Sequence, residues 1–414
     1  MNVLITSLGS KLNLVKYFKR ALYNEGGGRV LGIDSDSNAN ARFFVDQFIC
    51  SPNIGDDDFE QWLTELVSEQ GIDLIVPSRD GDLRTLSQIK VRLESIQQCQ
   101  ISVSPLETLD LCLNKHRFYN WCAEQQFSTA KVFEKSKVKE SDLPVFVKPT
   151  EGFGSSGAYK ISTWRQWEDA EPEIGGQTVI QNFLNGEEYS VDAFAPSIGA
   201  CLFVVPRKRI VTMHGESVHG RICLDPELMK VSKQLVERLG IIGQCTVQLF
   251  RVGAKIFVSE VNARFGGGFT LSVEAGADSP RYLVQGCLDR ACSFDQDKLV
   301  ADMEMIRVQK DIFVSSSTKK TYCFDLDGTL CTESCSYEEA QPISSVVERA
   351  NDLYAKGHEV IIASARGAAS GKDWRPLIEE QLGLWGVKYT RIVDGKPFAD
   401  YYVDNKSVDV LEFL

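Results

Sequence analysis

Apolar and polar positions follow two different periods along the N-terminal part of the chain. Val3-Leu4-Ile5 is a short apolar run, and after Ser7-Leu8-Gly9-Ser10 the residues Leu14, Phe18 and Leu22 recur at every fourth position. This predicts a strand, a loop and an amphipathic helix. Val30 to Asp34 and Ile72 to Pro77 repeat the strand signal. Short apolar strands between amphipathic helices predict a parallel α/β sheet. From about residue 145 the strands shorten and hairpin punctuation appears, and Tyr189 to Phe194 alternates as a half-buried antiparallel strand does. Phe313-Val314-Ser315-Ser316-Ser317-Thr318-Lys319-Lys320 turns small and polar, which marks a boundary, and Thr321-Tyr322-Cys323-Phe324 opens a last α/β unit. The pattern divides the chain into an N-terminal parallel α/β domain at 1–110, an α+β domain at 111–313, a linker at 314–320 and a C-terminal α/β domain at 321–414.

A length of 414 residues agrees with several domains, at roughly 150 residues each. The formal net charge of -12 argues against a protein that coats nucleic acid, which calls for a basic surface. No apolar run approaches the roughly 18 residues that span a bilayer, so no membrane insertion is expected. Met1-Asn2-Val3-Leu4-Ile5-Thr6 lacks a basic leader, so a cytoplasmic location is expected. The 12 cysteines are scattered without a CxxC, and His116, His214, His219 and His358 do not fall at zinc-ligand spacing. Buried free thiols are the expectation, because cysteine packs as a small hydrophobe.

Asp34 and Asp36 end the second strand where dinucleotide folds hold a ribose, but Ser7-Leu8-Gly9-Ser10 has one glycine where that fingerprint needs several. This argues against NAD. Gly152-Phe153-Gly154-Ser155-Ser156-Gly157 fits GxGxxG, yet it lies between two strand signals, Val145 to Lys148 and Ala158 to Ile161, with no helix opening at it. Strand, glycine-serine loop, strand describes a lid whose backbone N–H groups wrap phosphate oxygens, or a surface hairpin of small residues. A protein kinase carries its lysine after such a loop; here Lys148 precedes it, and no HRD or DFG follows. Glu260 and Asn262 are two apart in a strand and therefore share one face. Two oxygen ligands on one face suit magnesium, and Gln248 on the preceding strand supplies a third.

These segments together resemble the ATP-grasp superfamily, in particular its carbamoyl-phosphate-synthetase-like carboxylate–amine ligases, over roughly residues 1–310. The resemblance implies ATP held between two α+β subdomains behind an N-terminal α/β domain. It places Lys115 and Lys148 on the nucleotide phosphates, with Gly152, Gly154, Ser155, Ser156 and Gly157 as the lid. Gln181, Asn182 and Leu184 match the adenine hinge, Glu188 the ribose carboxylate, and Gln248, Glu260 and Asn262 the Mg2+ ligands. Arg209 and Arg264 match positions facing the reacting phosphate, and residues 264–276 resemble the acceptor-side loop. Asn182 stands where many members have an acidic residue. No biotin-acceptor Met-Lys in an acidic context is present, which argues against biotin carboxylation within this chain. The implied chemistry is attack of a carboxylate on the γ-phosphate of ATP, followed by displacement of phosphate from the acyl phosphate by an amine.

A second constellation, Phe324-Asp325-Leu326-Asp327-Gly328-Thr329-Leu330, puts two aspartates two apart after a strand. One carboxylate in such a pair can attack phosphorus while the other moves a proton, and crowded carboxylates call for a cation. An EF-hand fails, because the later ligand positions are absent. Ser364 ends the strand Val360 to Ala363, Lys396 lies in Asp394-Gly395-Lys396-Pro397, and Asp404 follows Tyr401-Tyr402-Val403. Residues 320–414 resemble the haloacid-dehalogenase-like (HAD) phosphatases, and in wording the small capsule-biosynthesis members. The resemblance makes Asp325 the nucleophile and Asp327 the acid/base, with Ser364 and Lys396 on the phosphate. Magnesium would be held by Asp325, Asp404 and the carbonyl of Asp327. Asn405 stands where many relatives have a second aspartate. The gaps from Leu330 to Pro342 and from Ser364 to Lys396 are too short for a cap domain, so a capless Rossmann-like unit is expected.

The expectation drawn from both constellations is a bifunctional enzyme using ATP and Mg2+, with a small carboxylate and an amine, the latter carrying a phosphate, as substrates. A ligase whose C-terminal domain serves only docking or regulation is the alternative. A nucleotide-sensing scaffold without activity is disfavoured by the intact lysines, carboxylates and metal-ligand positions.

Overall fold

The computed structural model describes residues 1–97, 99–152, 157–213, 215–308, 319–368, 370–394, 397, 399 and 401–404. The chain forms two compact units, Asn2–Phe18 with Val30–Lys310, and Asp311–Leu414 with Met1 and Lys19–Arg29. Among the described residues no helix is long and apolar enough to cross a membrane.

The larger unit opens with a sheet of order β3-β2-β1-β4-β5, built from β1 (Asn2–Thr6), β2 (Arg29–Asp34), β3 (Gln47–Cys50), β4 (Leu74–Pro77) and β5 (Gln100–Ile101). The β1–β4, β2–β3 and β4–β5 pairs are parallel, as the alternation of apolar runs and amphipathic segments predicts. Helices α1 (Leu12–Asn24), α2 (Phe59–Gln70) and α3 (Asp80–Gln97) alternate with these strands. The third strand signal is shorter than expected, because Ile72 and Asp73 belong to the turn that follows Gly71, whose φ of 59° ends α2. Helices α4 (Leu106–Leu113) and α5 (Lys115–Glu124) follow; Asn114 caps α5 by accepting from the Arg117 N–H at 3.1 Å.

Two antiparallel sheets come next. The smaller, of order β6-β9-β7-β8, contains β6 (Val132–Phe133), β7 (Val145–Pro149), β8 (Tyr159–Ile161) and β9 (Thr178–Asn182), with α6 (Trp164–Ala170) between its last two strands in sequence. The larger has order β14-β13-β10-β11-β12-β15 and contains β10 (Glu187–Ala195), β11 (Phe203–Met213), β12 (Glu216–Ile222), β13 (Gly243–Val252), β14 (Lys255–Asn262) and β15 (Glu304–Ile306). Between β12 and β13 runs α7 (Pro226–Leu239), capped by Asp225 and ended by Gly240 at φ 71°. The short helices α8 (Phe269–Glu274) and α9 (Ser279–Cys287) follow β14.

The half-buried reading of Tyr189 to Phe194 is corrected here, since every residue from Tyr189 to Ala195 is buried. On one face Val191 and Ala193 join a core containing Leu228, Leu235 and Val236 of α7. On the other, Phe194 packs with Leu271 of α8, and Asp192 is buried in a polar cluster. The polar alternation marks a buried ion pair, and not solvent exposure.

The smaller unit carries a parallel sheet of order β18-β17-β16-β19, made of β16 (Thr321–Asp325), β17 (Glu359–Ser364), β18 (Arg391–Asp394) and β19 (Tyr401–Val403). Helices α10 (Ser344–Ala355) and α11 (Arg375–Leu384) contribute Val347, Leu353, Ile378 and Leu382 to its core, which includes Phe324 and Ile362 of the strands. Only a short 3-10 turn at Tyr337–Glu339 stands between Leu330 and α10. Most of the linker lies outside the described residues; Lys319 and Lys320 lead into β16. All cysteines are free, as expected, but Cys50 and Cys335 are exposed and do not fit the buried reading.

Candidate active site

Position along α5 and β7 decides the cationic side of the central site. Capping by Asn114 starts α5 at Lys115, which is buried and donates from Nζ to the Gly152 carbonyl at 3.3 Å. One turn later Tyr119 lies on the same helix face. Its hydroxyl accepts from Lys148 Nζ at 2.8 Å and donates to Gln181 Oε1 at 2.9 Å, which ties β7 to β9. Burial lowers the pKa of both lysines from the ordinary value. Glu260 opposes the shift at each, and the two ammonium groups repel one another at Lys115. Burial also raises the Tyr119 hydroxyl.

The facing wall is β13 and β14. Gln248 is in register with Glu260, and Asn262 donates from Nδ2 to Glu260 Oε1 at 3.4 Å, so all three polar groups gather on one face as the two-residue spacing predicts. A cavity of about 600 Å3 is lined by Lys115, Lys148, Gly152, Gln181, Leu184, Glu188, Arg209, Gln248 and Glu260, with Phe146, Phe183 and Phe250 as apolar walls. Arg209 donates from Nη1 to Glu188 and from Nη2 to the Gly215 carbonyl at 2.7 Å, while its buried Nε has no hydrogen-bond partner. Burial raises the Glu188 carboxyl above its ordinary value despite this arginine. A smaller cavity of about 220 Å3 is lined by Asp80, Arg84, Lys115, Glu151, Gly152, Glu260 and Asn262 among others.

Residues 112–268 match a family model described as an ATP-grasp domain, and residues 3–101 one described as a PylC-like N-terminal domain. The larger unit thus contains an ATP-grasp domain. Solved structures agree in fold. Rhizobium etli pyruvate carboxylase is 18% identical with a TM-score of 0.56 over 73% of this chain, which spans only 30% of that protein. The biotin carboxylase domain of the Hydrogenobacter thermophilus 2-oxoglutarate carboxylase, solved with MgADP, ADP and bicarbonate, is 13% identical with a TM-score of 0.56 over 73% of each chain. The Bacillus licheniformis L-amino acid ligase is 18% identical with a TM-score of 0.53 over 69% of this chain and 74% of its own. No curated protein matches the chain.

ATP with Mg2+ is the cofactor pair of an ATP-grasp domain, and the residues of the cavity fit both. Two buried ammonium groups suit phosphate oxygens, and the buried Arg209 Nε on the cavity wall has no hydrogen-bond partner within the protein. One carboxylate with two amide oxygens suits a magnesium ion that takes its other ligands from phosphates and water.

Not every expected residue reaches this ATP-grasp cavity. Asn182 spends its side-chain oxygen on the Lys131 N–H at 2.6 Å and its own N–H on the Lys131 carbonyl, pinning β6 to β9, and it is absent from the cavity lining. Gly154, Ser155 and Ser156 lie outside the described residues, while Gly152 and Gly157 sit at φ 136° and 69° at the two ends of that loop. Arg264 lines neither cavity; it donates from Nη2 to Asp80 at 2.6 Å. The sequence reading missed Tyr119 and Asp80. The four-residue step from Lys115 could have revealed the first, whereas the second lies 184 residues from its partner.

In the smaller unit a cavity of about 800 Å3 gathers Asp325, Ser364, Asp394 and Asp404, which sit at or just after the carboxyl ends of the parallel strands. Arg366, Lys372, Trp374, Arg375 and Tyr402 complete the lining named here. Asp327 is turned elsewhere: its carboxylate accepts from Arg366 Nε at 2.9 Å and Nη2 at 2.6 Å. The Arg366 side chain is fully buried, donates to Gln381 Oε1 at 2.7 Å, and lies 4.5 Å from the Tyr337 ring centroid. Cys331 is buried beside this pair, and burial pushes its thiol up to about 12. Lys396 and Asn405 lie outside the described residues. Arg366, which the sequence did not single out, is the partner of Asp327.

Proposed function

We propose that the chain is an ATP-dependent carboxylate–amine ligase joined to a magnesium-dependent phosphatase. The observation that carries the first half is the convergence of Lys115 and Lys148 with Gln248 and Glu260 on one cavity. In this reading a substrate carboxylate accepts the terminal phosphoryl group of ATP, and an amine then displaces phosphate to leave an amide. Lys115 and Lys148 hold phosphate oxygens, Gln248, Glu260 and Asn262 hold the metal, and Glu188 takes the ribose. Magnesium bound there supplies neutralising charge to the phosphates. A glycine-serine lid of the kind the family resemblance implies would exclude water from the labile acyl phosphate. The test is to incubate the protein with ATP and pools of carboxylates and amines, follow ADP, and identify the product by mass.

For the smaller unit the supporting observation is the placement of Asp325, Ser364 and Asp404 around one cavity at the carboxyl ends of parallel strands. That is where open α/β sheets bind ligands. Asp325 is the proposed nucleophile, Ser364 and Lys396 the phosphate-holding groups, and Asp404 a metal ligand. A phosphorylated amine joined to a carboxylate and then dephosphorylated fits a surface-polysaccharide precursor. The second reading, a docking or regulatory unit without catalysis, is favoured by one feature: both oxygens of Asp327 accept from Arg366, and Asp327 does not line the cavity that holds Asp325. Magnesium-dependent phosphate release from p-nitrophenyl phosphate, lost in Asp325→Asn, separates the two readings.

A further inference from the structure

Tyr119 sits on α5 one turn after Lys115, and its ring belongs to the same apolar core as Phe118 and Cys122. It does not line the 600 Å3 cavity, whereas both partners of its hydroxyl do. Those partners are Lys148 Nζ at 2.8 Å and Gln181 Oε1 at 2.9 Å. None of the three is open to water: Tyr119 is 4% exposed, Lys148 6% and Gln181 5%. A hydroxyl placed behind the wall in this way acts on a bound molecule only through the two side chains that it holds.

Valence fixes the direction of both bonds. An ammonium has no lone pair, so Lys148 donates, and the single hydroxyl proton is left for the Gln181 oxygen. Among the described residues Lys148 makes no other hydrogen bond and no ion pair. Two of its three N–H groups therefore remain for a ligand. A lysine head on a flexible four-carbon stem samples many rotamers, and ordering it at the moment of binding costs affinity. A carboxylate could order it too, but would cancel the charge that a phosphate needs. A phenol hydroxyl orders the head and leaves the charge in place. The ring assists, since Lys148 Nζ lies 5.3 Å from its centroid. Burial lowers the Lys148 pKa, and an acceptor on the ammonium favours the charged form against that penalty.

We propose that Tyr119 is a positioning residue for the nucleotide: its hydroxyl, anchored on Gln181, holds the Lys148 ammonium ready for phosphate oxygens without neutralising it. The inference rests on the assignment of Lys148 to the nucleotide phosphates. Helix α5 then supports both phosphate cations, Lys115 from its own first turn and Lys148 of β7 through Tyr119.

The test is calorimetric titration of the full chain with MgADP and, separately, with adenosine. Tyr119→Phe keeps the ring and removes the hydroxyl alone. It should weaken MgADP binding by about tenfold, as expected for one lost hydrogen bond to a charged group, and leave adenosine, which carries no phosphate, unchanged. Lys148→Met should weaken MgADP by about tenfold or more. Adding Tyr119→Phe to it should weaken binding no further, because the hydroxyl then has no ammonium to hold. A merely structural role would weaken adenosine in step with MgADP, or would add its full effect in the Lys148→Met background; either result overturns the inference. A loss in Lys148→Met that is absent in Tyr119→Phe keeps the phosphate assignment and rejects the positioning role. Unchanged MgADP affinity in Lys148→Met rejects both. If the doubly substituted chain does not fold, the comparison of MgADP with adenosine in Tyr119→Phe decides alone.

Discussion

Lys115 and Lys148 keep their ammonium groups where little water reaches them, and burial lowers both pKa values. Phosphate oxygens favour the charged form, so nucleotide binding must raise those values again. The sign follows directly. In the alkaline range below the ordinary lysine pKa, part of the free protein has lost a proton that the complex retains. MgATP binding should therefore take up protons there, and its affinity should fall as pH rises through the lowered lysine values. Calorimetry at alkaline pH in two buffers of different ionisation enthalpy measures the uptake, and an enthalpy independent of buffer contradicts the assignment. Glu260 lines the same cavity from the opposite wall and belongs to the proposed metal set. Glu260→Ala removes the one carboxylate of the metal set and should lower ADP formation by about a hundredfold or more, with the unfolding temperature retained. Undiminished ADP formation sinks the metal assignment.

Elements carry what single residues cannot. Asp192 on β10 accepts from Arg207 of β11 at 2.7 and 3.0 Å, from Thr246 of β13 at 2.8 Å and from Ser272 of α8 at 2.6 Å. Arg207 in turn lies under the acceptor-side glycines, so close that a Cβ at Gly268 would meet its Nη1 at 2.2 Å. Asp192→Ala strands a buried guanidinium and should cost about 3–5 kcal/mol in urea unfolding. Asp80, the first residue of α3, plays a different part by fixing Arg264 from the N-terminal domain. Asp80→Asn should lower the turnover number of ADP formation by about tenfold or more while the KM for ATP holds, since the residue orients an arginine outside the nucleotide cavity. A change in ATP KM alone, with turnover intact, would place Asp80 in nucleotide binding instead. The sequence made the elements legible because period two and period four are local signals. Strand spacing likewise put Glu260 and Asn262 on one face. It hid what joins distant segments: Asp80 and Arg264 are 184 positions apart, and Asp192 looked like a solvent-facing position because the arginine that neutralises it sits on another strand.

At the scale of the whole chain, the carboxylates of the proposed ligase and those of the proposed phosphatase are confined to separate units. Glu260 belongs to one compact unit and Asp325 to the other. If the ligase joins a phosphorylated amine to a carboxylate, the phosphate serves the first reaction as a charged handle, and its hydrolysis makes the sequence irreversible. The two reactions then separate by mutation. Asp325→Asn should accumulate a phosphorylated amide from ATP, carboxylate and phosphorylated amine, because the nucleophile that would remove the phosphate is gone. The Glu260→Ala chain, unable to make amide, should retain magnesium-dependent phosphate release and should convert the accumulated compound to the free alcohol when added to it. Mass spectrometry distinguishes the two products by one phosphate. The same unphosphorylated product from the Asp325→Asn and unsubstituted chains, both making amide, shows that the sites do not act in sequence. A phosphorylated amide that the Glu260→Ala chain leaves untouched places the natural substrate of Asp325 elsewhere.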